Sequence, residues 1–388
     1  MASARFSTFD KAIRGAAILS AFLILTAICT NLRYNLQTDF VSFWAAAKLA
    51  LGGNPGAAYD LDLHKAMETT AVAIKGLIPF PYPPTYLLAI LPFGLLPYAM
   101  AHAVWVATTL TAYLVATHKL VANSALLAMA FPPVILCGIG GQNSFLMAAI
   151  FMTAITLMKT RPFTAGLVFG LLAFKPHLGV LLPLALIAGR DWRTFAGAAA
   201  STMGLILFSL VIFGLESWSG FLTLLPLAGS IASEGLVSWN KMASVYASLR
   251  LAGVPEALAW LTHALVAVAA VIFVWRVWRT STDIGYRAAA LAAATLTISP
   301  YLFIYDQLLL VPALAYLWQR GGNRKWLGLI YAVAILGLAG NFYTATVISV
   351  APLLPIMVIA LIWHDRQLTA TKSSTGFAEF RPLSAPTA

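Results

Sequence analysis

Charge is what this sequence has least of. Only 10% of its 388 residues are Asp, Glu, Lys or Arg, against about a quarter in soluble domains, so an ordinary water-facing surface cannot be built from it. Cysteine is nearly absent. The two present, Cys29 and Cys137, both lie in apolar stretches, which excludes a disulfide framework. No zinc-ligand spacing, Ser-His-Asp set or glycine-rich phosphate loop occurs, so no cofactor is read from the chain, which argues against ATP chemistry and leaves metal dependence open. There is no internal repeat of 20–50 residues and no inverted repeat of the transporter kind.

What is present is apolar. Hydrophobic residues make up 61% of the chain, and mean hydropathy is +0.86. Stretches near the ~20 residues needed to cross ~30 Å of hydrocarbon recur from residue 12 to residue 363. They predict spans at about 12–30, 98–118, 121–139, 143–158, 163–175, 177–189, 195–213, 257–277, 286–299, 304–318, 326–342 and 345–363. The expected fold is an all-α polytopic membrane protein of about twelve transmembrane helices. The first span reads as a retained signal anchor, since no small-residue cleavage site follows its core.

The net charge of +11 does not indicate nucleic acid, because the basic residues stand singly and in pairs between apolar segments. That placement encodes topology. The stretch 83–97, PPTYLLAILPFGLLP, is short and broken by Pro92 and Pro97. If it does not cross, seventeen basic residues fall on one side with the N-terminus and seven on the other. The richer side is then the cytoplasm, with both termini inside. Residues 1–366 form a single transmembrane domain with outer loops at about 31–97 and 214–256, and 367–388 form a polar, disordered cytoplasmic tail. Large outer loops place the chemistry outside.

Several polar residues on that outer side need a reason. Asp39 precedes the helical stretch FVSFWAAAKLAL. It either caps that helix or serves chemistry, and the helix, with Phe40, Phe43, Trp44, Ala47 and Leu51 on one face, suits lying on the membrane. Tyr82 and Tyr86 flank a proline elbow at Pro83 and Pro84. Gln142 and Asn143 sit in the turn GIGGQNSFLM, either as a helix–helix contact or as substrate ligands. Lys175 and His177 lie between two short apolar segments, within the membrane, where ionisable groups are costly and usually functional. Asp306 follows Tyr301 and Tyr305 and either pairs with a cation such as Lys175 or contacts substrate. Lys241 and Arg250, in the second loop, suit a lipid phosphate or a solvated surface equally.

A carboxylate, cations and amides on one membrane face suit a lipid phosphate leaving group with an aspartate taking a hydroxyl proton. The ordered elements TDF, GGNPGAAYD, YPPTYLL, GGQNS, AGLVFGLLAFKPHLGVLLPLAL ending in RDWR, and SPYLFIYD together resemble the family 87 membrane glycosyltransferases. Those are polyprenol-phosphate-mannose-dependent α-mannosyltransferases of the GT-C superfamily, and the similarity covers about residues 10–320. The resemblance implies a GT-C-like bundle whose large first outer loop carries interfacial helices. It also implies inverting transfer of a hexose, mannose by analogy, from a polyprenyl-phosphate donor to a lipid or glycan acceptor at the outer face of a bacterial inner membrane.

Asp39 corresponds to the family's first-loop base, and Lys175 and His177 to its contacts with the donor phosphate. Lys241 and Arg250 join them as candidate phosphate contacts, and Tyr82, Gln142, Asn143 and Asp306 as candidate substrate contacts. A transporter or flippase of a lipid-linked sugar is the alternative, disfavoured because the charges gather at one face rather than at the bilayer midplane. A non-catalytic membrane scaffold explains the spans but gives no reason for Lys175 and His177.

Overall fold

The computed structural model describes residues 8–74, 76–235, 237–319, 324–342 and 348–376. Among these residues the fold is helical throughout, and the only β feature is an isolated antiparallel bridge between Met242 and Phe303. Five helices are long and apolar enough to cross a membrane: Thr8–Tyr34, Tyr98–Leu120, Trp192–Leu227, Glu256–Thr280 and Lys325–Phe342. A sixth candidate is the pair Pro133–Gly140 and Ser144–Leu157, bent by 120°.

Five or six is fewer than the twelve spans expected, and the reason lies in the breaks. The stretch 121–139 divides at Phe131–Pro132 into Ala125–Ala130 and Pro133–Gly140. Other expected spans are short apolar stretches, such as the helix Ile284–Ile298 and the apolar part Leu353–His364 of the last helix, which at 1.5 Å per residue fall short of ~30 Å. The segment 83–97 forms Pro84–Ile90 followed by a 3-10 turn Leu91–Leu95, also too short to cross.

The two expected loops are largely helical. In the first, Asn54 caps the 3-10 turn Pro55–Tyr59 by accepting from Ala57 N at 3.3 Å. Asp60 caps Leu61–Ala71 through Asp62 N and Leu63 N, both at 3.0 Å. The apolar face of the helix Phe40–Leu51, expected to rest on the membrane, packs against protein instead. Phe40, Val41 and Ala45 to Ala47 are wholly buried, because Phe40 packs on Tyr98, His102 and Trp105. In the second loop, the helix beginning at Trp192 continues to Ser233 through a kink at Gly214, where φ is 73° and ψ is 171°. The stretch after the expected span 195–213 was expected as loop, yet the helix continues through Pro226.

Two packing features hold the elements that carry the site. Gly166 and Gly170, spaced four apart, let the helix Pro162–Gly170 touch the backbone of Trp192–Ser233 at Gly197 and Ala198 and the side chain of Ser201. A Cβ at either glycine would collide there, which is the close approach small residues allow between membrane helices. The helix Ile284–Ile298 is buried on all sides through Ala288 to Ala290 and Ala292 to Ala294, as expected of a central helix. The last helix runs Leu353–Gly376, into the stretch expected as a disordered tail, and residues 377–388 lie outside the described residues.

Candidate active site

A cavity of about 850 Å³ draws its walls from seven stretches of the chain, from Asp39 to Asn341. Asp39, Tyr82, Gln142, Lys175, His177 and Lys241 all line it. These are six of the nine residues singled out from the sequence, although up to 202 positions separate them. The remaining wall is mostly proline and aliphatic, with the aromatic residues Phe43, Tyr301, Phe303 and Tyr305 among it. The cavity is therefore apolar with a few polar groups, as ligand sites usually are.

Asp39 is held by its neighbours rather than by the helix it precedes. It makes no capping bond to that helix, so the capping reading does not hold. Asn31, near the end of Thr8–Tyr34, accepts from Leu36 N at 2.7 Å and contacts His102 Nδ1 at 3.0 Å. The Tyr98 hydroxyl donates to Leu36 O at 2.9 Å and accepts from Thr38 N at 3.1 Å. The backbone is thus fixed on the N-terminal side of Asp39.

The side chain of Asp39 accepts from Gln142 Nε2 at 2.6 Å, on Oδ2. Gln142 is in turn placed by Gly141, whose φ of 67° favours glycine. A side chain at Gly141 would strike His102 and Phe40, and Trp105 Nε1 donates to its carbonyl at 2.9 Å. Asp39 is exposed to the cavity while protein surrounds it on nearly every side. That enclosure pushes its carboxyl pKa up, and the Gln142 hydrogen bond and then the Lys241 charge pull it partly back.

The cation corner is built differently. Lys175 is buried and pairs with Asp306 Oδ1 at 2.5 Å. It also donates to Asn143 Oδ1 at 3.3 Å and lies 5.3 Å from the centre of the Tyr305 ring. Ser144 Oγ donates to the same Asp306 oxygen at 2.6 Å, and Phe303 N approaches the other at 3.4 Å. Asp306 and Asn143 therefore stand behind the cavity wall and hold Lys175. An ammonium carries three N–H donors, so one remains for the cavity. His177 lines the cavity with its Nε2 unpaired among the described residues. Lys241, at the rim, is exposed.

Arg250 is not part of this wall. It donates to Val254 O at 2.9 Å, and its guanidinium stacks over the Trp239 ring at 4.9 Å, so its charge serves its own loop.

Sequence reasoning missed three contributions. Ser42 and Phe43 line the cavity from the helix it placed on the membrane, and Ser42 Oγ donates to Pro79 O at 3.1 Å, fixing the facing strap. Phe221 and Leu225 come from the helical half after Gly214, and their spacing of four was the available signal. The third is an apolar groove of about 540 Å³ lined by Phe169, Val180, Leu186, Phe195 and Met203 among others. It meets the cavity that holds Asp39 and Lys175 at Pro83, Pro176 and Phe221.

The family model for glycosyltransferase family 87 matches residues 80–300. That is more than half of the chain, and the chain belongs to glycosyltransferase family 87. The match holds Tyr82, Gln142, Lys175, His177 and Lys241 and begins after Asp39. No curated protein and no solved structure matches the chain.

Proposed function

We propose that this family 87 glycosyltransferase moves a hexose, mannose by resemblance, from a polyprenyl-phosphate donor to a hydroxyl of a lipid or glycan acceptor at the outer face of the membrane. The observation that carries the reading is the shared cavity, where Asp39, free of any cation partner within hydrogen-bond reach, stands with Lys175, His177 and Lys241.

In this reading the donor's phosphate lies against the free N–H of Lys175, with His177 beside it and Lys241 at the mouth. The Lys175–Asp306 pair is neutral as a unit, so Lys241 supplies the net positive charge. The apolar groove that joins the cavity at Pro176 and Phe221 accommodates the polyprenyl chain, whose apolar surface favours such a lining. The acceptor oxygen attacks the anomeric carbon as its proton passes to Asp39. The bond from that carbon to the phosphate oxygen breaks, and polyprenyl phosphate leaves with the electron pair. Attack on the face opposite the leaving group inverts the anomeric centre.

A positioned base contributes typically 10²–10⁴-fold. The raised pKa of Asp39 suits it to accept a proton, and its Oδ2 bond to Gln142 leaves Oδ1 for the acceptor. The test is direct: purified protein in detergent is given a polyprenyl-phosphate-linked mannose and a panel of simple acceptors, and sugar transfer is measured. Transfer that disappears in Asp39→Asn while donor binding persists supports the reading. A protein that binds no polyprenyl-phosphate sugar would sink it.

A further inference from the structure

A second, smaller cavity of about 280 Å³ lies at the far end of the chain segment that begins at the active site. Pro176 lines the active-site cavity, and thirteen residues later Gly189 lines the small one, with Ile187, Ala188, Arg190, Trp275 and Arg279. The positive-inside reading puts this end at the cytoplasmic leaflet.

The two arginines here are unusual. Arg190 follows the helix Leu182–Gly189 in the left-handed conformation, with φ at 56°. Glycine or asparagine normally occupies that position, since a Cβ is strained there. An arginine kept at a strained position is an observation that asks for a function. Arg279 lies four residues after Trp275, on the same face of the helix Glu256–Thr280. Both guanidinium groups are exposed and, among the described residues, have no hydrogen-bond or ion-pair partner.

The features that would repel an anion are already occupied. Asp191 is held by Arg287 at 3.0 Å. Asp283 caps the next helix through Gly285 N at 2.8 Å and accepts from the Tyr316 hydroxyl at 2.8 Å. The helix end beside Arg190 would present bare carbonyl oxygens, but Ile187 O accepts from Arg190 N and Leu186 O from Asp191 N. Trp275 and the exposed Trp192 are the residue type that settles at the headgroup level.

We propose that this pocket binds the phosphodiester head group of an anionic phospholipid in the cytoplasmic leaflet, held between Arg190 and Arg279 with Trp275 as its wall. Basic pockets between membrane helices on this side are suited to such head groups. The lipid would brace the segment whose other end carries Lys175 and His177.

The test uses the full chain in detergent and native mass spectrometry, titrated with phosphatidylglycerol or phosphatidylcholine. One phosphatidylglycerol should remain bound under conditions that strip phosphatidylcholine. The double variant Arg190→Gln, Arg279→Gln should lose phosphatidylglycerol affinity by roughly thirtyfold, at about a factor of five per arginine. Its phosphatidylcholine retention should not change. The double lysine variant, which keeps both charges, should retain most of the binding, which separates charge from any loss of folding. Equal retention of the two lipids, or undiminished binding by the glutamine variant, overturns the proposal. Displacement of the lipid by millimolar inorganic phosphate also overturns it, because the pocket would then serve a soluble phosphate.

Discussion

Asp39 and Asp306 reach the same part of the molecule from distant parts of the chain, and their partners could hardly differ more. Asp39 accepts one hydrogen bond, from the neutral amide of Gln142, and faces the cavity. Asp306 receives Ser144, Lys175 and Phe303 N, and is only 1% exposed. The first keeps its Oδ1 without a protein partner among the described residues. The second has its capacity used by the protein and holds the Lys175 side chain in the wall. The residue type is identical, so the difference lies wholly in what surrounds it.

The sharpest way to break this comparison is to make the same substitution at both sites. Asp39→Asn should lower turnover by about 10²–10⁴-fold with an unchanged melting temperature, because Asn still accepts from Gln142 and no cap is lost. Asp306→Asn should show the reverse emphasis, a loss of stability of about 3–5 kcal/mol from the uncompensated charge on Lys175, seen as a lowered melting temperature. A stable Asp306→Asn protein with abolished turnover would exchange the two roles.

A smaller effect separates pairing from binding. Lys175→Met alone strands Asp306, whereas Lys175→Met with Asp306→Leu removes both charges and should recover most of the lost stability, since apolar replacement of a buried pair is often near neutral. Donor affinity should stay low in the double variant if Lys175 touches the phosphate. Recovery of donor binding along with stability would confine Lys175 to packing.

The next effect is a shift in pH dependence. The enclosed Asp39 has a raised pKa, and Gln142 lowers it by stabilising the carboxylate. The base works only when ionised, so the rate falls as pH drops through that pKa. Gln142→Leu removes the donor, raises the pKa further and should move the acid limb of the rate profile to higher pH. An unmoved limb would remove Gln142 from the account of the base.

The smallest perturbation tests the shared face. Cysteines placed at the exposed positions Thr69 and Glu234 should react with an impermeant reagent from outside, and one at Thr160 should not. Labelling at Thr160 from outside would invert the topology and move both aspartates to the other side.

Much of the candidate site was legible along the chain because ionisable groups are rare in an apolar sequence, so each one is visible. Asp39, Lys175, His177 and Lys241 stood out for that reason, and the structure gathers them around one cavity. Arg250 stood out equally and lies elsewhere, since a charge does not announce whether a neighbouring carbonyl will take it. The helix after Gly214 was not legible, because glycine and proline read as loop in isolation while packing decides otherwise.

What the sequence by itself determined is the solvent. Its apolar composition points to a membrane-embedded helical chain, because hydrophobic transfer and backbone hydrogen bonding depend on local composition, and its match to the family 87 model makes it a glycosyltransferase. Only the tertiary structure decided that Gln142 binds Asp39 and that Asp306 binds Lys175, across 103 and 131 residues. It alone also joined an apolar groove to the cavity. Such pairings depend on which side chains meet at hydrogen-bond distance, and a sequence of short helices broken at glycine and proline leaves that choice to the packing of helices against one another.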